Sequence, residues 1–149
     1  MIRSFGPLLS FTILAGGLAA CSAKELRIYD AFIPEAPPRV SALAGYMTID
    51  NGSAQLRSLV GATTAAFERI EIHNTVYEKD SGLARMIRQQ RVDIQPQGTF
   101  LFEPGGYHLM LIHPRQALKH GDSVPVTLLF ADGLRLTVEF QVRRERLRL

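Results

Sequence analysis

Val124-Pro-Val-Thr-Leu-Leu-Phe130, the tripeptide Ala131-Asp132-Gly133, and Leu134-Arg-Leu-Thr-Val-Glu-Phe-Gln-Val142 read together as two strands joined by a tight hairpin. Asp-Gly supplies the turn, and each flanking run has the length of a strand. Working outward toward the N-terminus, the same format recurs at Tyr107–His113, Thr99–Phe102, Leu83–Arg88, Arg69–Tyr77, Leu56–Thr63, Ala42–Asp50 and Leu26–Phe32. Asn51-Gly52 stops one of these runs, and Pro34-Glu-Ala-Pro-Pro38, which cannot continue a central strand, follows another. No window sustains a 3.6-residue apolar period, apart from a possible single turn at Thr64–Phe67. The expectation is an all-β, antiparallel sandwich of about nine strands in one domain, residues 26–142.

The chain has 149 residues, one domain's worth. Its first twenty read as a signal peptide: a basic start at Arg3, an almost uncharged apolar run from Pro7 to Ala20, and no acid before Glu25. As a membrane span the run is too short, about fourteen residues against the ~20 needed, and Gly16-Gly17 interrupts it. It ends Leu18-Ala19-Ala20-Cys21, which resembles the lipobox of bacterial lipoproteins. On that pattern residues 1–20 are cut away, Cys21 is lipidated, and residues 21–25 form a lipidated leader. The localisation implied is the periplasm, anchored to a membrane through Cys21, with Ser22 pointing to the outer membrane. Cys21 is the only cysteine, so no intramolecular disulfide and no thiolate metal site can form elsewhere.

Without residues 1–20 the chain carries 16 basic and 14 acidic residues, close to balance. The basic residues concentrate at 143–149, read as a solvated tail. No basic face interleaved with aromatics is present, so nucleic acid is not an expected partner.

Four side chains stand out for their chemistry: His73, Met86, His108 and Met110, separated by twelve, twenty-one and one residues. Alternation in Arg69–Tyr77 places Ile70, Ile72 and Val76 on one face and Arg69, Glu71, His73 and Thr75 on the other. His73 therefore belongs to the polar face. Met86 shares a face with Arg88, opposite Leu83, Arg85 and Ile87, an unusual place for a methionine. His108 and Met110 share a face of Tyr107–His113, but both faces of that strand are mixed, so alternation cannot orient it. Taken singly, a methionine is usually core packing and a histidine a hydrogen-bonded surface residue. As a set, imidazole with thioether suits Cu(I), and the set contains no carboxylate or thiolate to suggest calcium, magnesium or structural zinc. A thioether also cannot be lost to a disulfide in an oxidising compartment.

The segments Tyr46-Met-Thr-Ile-Asp-Asn51, Leu59-Val-Gly-Ala62, Glu71-Ile-His73, Arg85-Met86, Pro104-Gly-Gly-Tyr-His-Leu-Met-Leu111 and Gly121-Asp122 resemble those of the periplasmic copper chaperone family PCu(A)C. The resemblance spans about Leu26 to Val142. Its signature is a His, a Met ten residues on, twenty-one further residues, and His-x-Met. Here the second gap and His108-x-Met110 match, and the first gap is two residues longer, within Glu78-Lys-Asp-Ser-Gly82. The resemblance implies a cupredoxin-like, Greek-key β-sandwich binding one Cu(I) through His73, Met86, His108 and Met110. It further implies a monomer that delivers copper to the copper-bearing subunit of cytochrome oxidase, alongside a Sco-type chaperone.

A blue-copper protein would need a Cys ligand, and Cys21 is taken by the N-terminus. No nucleophile elbow or zinc-protease signature is present, and an enzyme is not expected. His113 and His120, before Pro114 and Gly121, read as turn residues, and Met47 as core. Two other functions stay open: an envelope lipoprotein that binds another protein, and a copper-sequestering or resistance factor.

Overall fold

A computed structural model describes residues 26–79 and 81–144. The signal peptide, Cys21, the leader 21–25 and tail residues 145–149 lie outside the described residues. Among the described residues there are ten strands: β1 Leu26–Pro34, β2 Ala42–Asn51, β3 Arg57–Thr63, β4 Phe67–Tyr77, β5 Ala84–Gln89, β6 Val92–Ile94, β7 Gly98–Phe102, β8 Tyr107–Pro114, β9 Ser123–Phe130 and β10 Arg135–Arg143. The strand order is β5-β4-β8-β2-β1-β10-β9-β3-β6, with β7 also on β2. Every pairing is antiparallel except β1 with β10.

The long strand β2 joins the two layers. Ala42–Gly45 pair with β8, whereas Met47–Asn51 pair with β7. Gly45 sits where the strand changes partners, and a Cβ there would lie 3.3 Å from Phe140 Cε1. Glycine lets the Phe140 ring approach the backbone this closely, where a side chain would require the ring to give by a few tenths of an ångström. Between the layers, Ile33, Ile49, Leu59, Leu109, Leu111, Val126, Leu128 and Phe140 are fully buried in one cluster. Met47 is in this core, as its apolar strand implied.

Four local expectations are corrected. β6 makes ten strands rather than nine; it is three residues long, with Val92 and Ile94 buried around an exposed Asp93. β1 continues through Pro34, because at its end it pairs with β10, and Glu35 N donates to Arg143 O at 2.7 Å. Thr64–Ala66 form a bend rather than a helical turn, and β4 begins at Phe67. His113 lies in β8 with φ of 52° and hydrogen-bonds to Glu68 Oε2 at 2.9 Å, while remaining exposed. Pro125 is tolerated inside β9 because β3 pairs only with the far half of that strand, from Thr127 to Phe130.

At the end of β2, Asn51 is fully buried. Its amide donates to the carbonyls of Gln55, Ile94 and Gln95, and its Oδ1 accepts from Ser53 N and Oγ. These bonds tie the end of β2 to the chain leaving β6, and the one to the Ile94 carbonyl is itself buried. Asn51→Ala is expected to cost about 2 kcal/mol of unfolding free energy, the scale for leaving buried polar groups unpaired. Urea melts of residues 22–149 would measure it.

Candidate metal centre

Strand register decides which side chains can meet, because residues directly opposite in an antiparallel pair project to the same face. β4 is flanked by β8 on one side and β5 on the other. Across β4 and β8, His73 faces His108 and Glu71 faces Met110; across β4 and β5, His73 faces Arg88 and Thr75 faces Met86. All four sequence-identified donors therefore share one face of the sheet. β8, which alternation could not orient, turns Leu109 and Leu111 into the core, and His108 and Met110 to the opposite side.

Three donors are neighbours. The His73 and His108 rings have centroids 5.8 Å apart, inclined at 56°, and Met110 follows His108 by two residues on the same face. Met86 lies on the far side of His73, diagonal to it. On ideal spacings of ~4.8 Å between strands and ~3.4 Å per residue, the Met86 and Met110 Cα atoms are roughly 16 Å apart. That exceeds the combined reach of two methionine side chains to one ion, so Met86 joins the other three only if edge strand β5 bends inward. The exposures agree: His73 is 9% and His108 5% exposed, whereas Met86 is 62% exposed.

The two extra residues between His73 and Met86 fall between Tyr77 and Ala84, which pair across the hairpin. Residues added in the turn lengthen the loop without moving the strand pairing, and it is the register of Thr75 with Met86 that puts Met86 on the face of His73.

The hydrogen bonds were not legible in the sequence. His73 Nε2 is 3.0 Å from Glu71 Oε2, while His73 Nδ1 is buried and has no hydrogen-bond partner among the described residues. His108 Nδ1 is 3.1 Å from Gly106 O and donates to it, which leaves Nε2 of that ring with the lone pair. Arg69 Nε donates to Glu71 Oε1 at 3.2 Å, and Arg88 Nη1 stands 3.7 Å from the same oxygen. The Glu71 carboxyl is held below the usual carboxylate range, first by its bond to His73, then by Arg69 and Arg88, against the opposing effect of burial. Burial lowers the His108 pKa below 6.5, with a smaller contribution from nearby His73, although the bond to Gly106 acts in the other direction. A neutral imidazole with a free nitrogen, a second imidazole with a buried unpaired nitrogen, and an adjacent thioether can together hold a soft or borderline metal ion. Sequence reasoning placed Glu71 on the polar face and in the family-like segment Glu71-Ile-His73 but gave it no contact with the histidine; its i, i+2 spacing to His73 was the available signal.

The model of a family described as LpqE-like, putative lipoprotein, matches residues 26–142. A putative lipoprotein of Leifsonia xyli is 28% identical over 111 residues, covering 74% of this chain and 65% of that protein. The chain spans about three-fifths of the length of the curated relatives it matches. The solution structure of a Cu(I)-bound protein from Deinococcus radiodurans is 30% identical with a TM-score of 0.65, covering 85% of this chain and 84% of that one. The copper-bound PCuAC domain from PmoF2 has a TM-score of 0.68 over 83% of this chain and 97% of its own length; at 18% identity it bears on the fold alone.

Proposed function

Because the chain belongs to the LpqE-like family and has the cupredoxin-like fold of PCuAC domains, we propose that it is an extracytoplasmic copper chaperone. It binds one Cu(I) through His73, His108 and Met110, with Met86 as the fourth, outlying donor. The observation that carries this reading is the buried His73–His108 pair, each ring with a nitrogen left for a metal, beside the Met110 thioether. The role is transfer rather than catalysis. Neutral donors bind the ion without cancelling its charge, and an acceptor's ligand can enter where the protein's own donor is most accessible.

Delivery needs such an opening, and the β4–β5 hairpin supports it. Met86 is its most exposed donor, and Val76, Tyr77, Leu83 and Ile87 around it are also exposed. The acceptor in this reading is the dinuclear copper centre of cytochrome oxidase, with a Sco-type chaperone acting alongside. Lipidation at Cys21 would hold the protein at the membrane, in keeping with the description of the Leifsonia relative as a putative lipoprotein.

A Cu(I) competition titration on residues 22–149 tests the binding, with one equivalent bound as the expected result and no stoichiometric binding as the result that sinks it. Met86→Ala is expected to weaken Cu(I) binding by less than about tenfold, ~1.4 kcal/mol, because Met86 stands apart from the other donors. The same variant is expected to slow transfer to an acceptor more than it weakens binding, as stopped-flow transfer would show. Oxidase activity in a deletion strain at limiting copper separates delivery from sequestration. Activity falls if the protein delivers copper, and unchanged activity identifies a sequestering factor.

A further inference from the structure

We propose that Glu71 is a positioning residue that selects Nδ1 as the metal-binding nitrogen of His73, so that the two histidines bind copper through different ring atoms, His73 through Nδ1 and His108 through Nε2. The inference rests on the copper reading above and deepens it.

Strand β4 sends the Glu71 and His73 side chains to the same side, two residues apart. An ionised carboxylate is an acceptor only, so a contact of 3.0 Å between Glu71 Oε2 and His73 Nε2 requires the proton on Nε2. The lone pair then resides on Nδ1. That atom is buried and without a hydrogen-bond partner among the described residues, a condition that costs stability unless another partner takes it. A metal ion on the donor face is such a partner.

His108 has the opposite arrangement. Its Nδ1–H donates to the Gly106 carbonyl, leaving Nε2 for the ion. The two anchors also differ in kind, since a carboxylate raises the basicity of the ring it holds more than a neutral carbonyl does. Glu71 is itself fixed. Its side chain is only 15% exposed, and its other oxygen is engaged by Arg69 and approached by Arg88. Rotation of the His73 ring about χ2 would break the Glu71 bond, so the carboxylate holds the ring in the orientation that presents Nδ1.

Long-range ¹H–¹⁵N correlation spectra of the apo protein read the tautomer of each histidine directly. The expected result is Nε2–H for His73 and Nδ1–H for His108, with Cu(I) then shifting His73 Nδ1 and His108 Nε2. Glu71→Leu removes the acceptor; it is expected to mix the His73 tautomers and weaken Cu(I) binding about 10- to 100-fold. Glu71→Gln, whose amide oxygen can accept the same bond, is expected to keep the tautomer and restore most of the affinity. An Nδ1–H tautomer at His73 in the apo wild type overturns the proposal. So does a Glu71→Leu protein that melts earlier yet keeps the tautomer and the affinity, since Glu71 would then be structural only. If the wild type binds no Cu(I), the copper reading fails, and with it the choice of metal-binding nitrogen. The apo tautomers of wild type and Glu71→Leu would still show whether Glu71 orients the ring.

Discussion

His108→Ala is expected to weaken Cu(I) binding by at least about a hundredfold, ~2.7 kcal/mol, and to abolish stoichiometric uptake in a competition titration. His108 stands directly opposite His73 on the neighbouring strand, its Nδ1 is tied to Gly106, and its burial favours the neutral ring. It therefore meets the ion with little reorganisation, and its loss leaves His73 and Met110 as the only adjacent donors. Met110→Ala should approach the same effect, because Met110 projects from the same strand face. His113→Ala provides the contrast. That imidazole is exposed and hydrogen-bonded to Glu68, so its removal should leave copper binding unchanged. Equal affinities for wild type and His108→Ala would refute the site.

The largest effect on stability is expected at Phe140. Phe140→Ala should cost about 3–5 kcal/mol, the range for removing a fully buried aromatic ring, and lower the melting temperature by roughly 10–20 °C in a domain of this size. The ring is completely buried and packs over Gly45, at the point where β2 passes from one layer to the other. A Cβ at Gly45 would also come within 3.5 Å of Leu111, on the core side of β8. Phe140 thus helps support from within the strand whose outer side carries His108 and Met110. Thermal unfolding followed by circular dichroism measures the loss. A cost below about 1 kcal/mol would mean that the core closes around the missing ring, contrary to the close packing usual in protein interiors.

Much of the fold is written locally. Runs bounded by Asn51-Gly52, Pro34 to Pro38 and Asp132-Gly133 mark the strands, because turn chemistry and alternation depend on near neighbours. β6 escaped because three residues carry too little pattern to separate from a loop. The end of β1 escaped because Pro34 belongs to a strand only through its pairing with the distant Arg143.

The candidate site divides in the same way. The sequence by itself determined the donor types, the absence of a second cysteine, the polar face of His73 and the face Met86 shares with Arg88 within its own strand. Each of these follows from composition or from the two-residue period of a strand. Tertiary structure decided the rest. β8 has apolar residues on both faces, so only its packing against the core could show that Leu109 and Leu111 point inward and His108 and Met110 outward. Which donors are neighbours depends on the register of β4 with β8 and β5, a long-range pairing that sets His73 beside His108 and leaves Met86 diagonal at the edge. The tie between His73 and Glu71 depends on side-chain conformations that spacing permits but does not require. A strand's period specifies the face a residue occupies; cross-strand pairing and packing specify what it meets there.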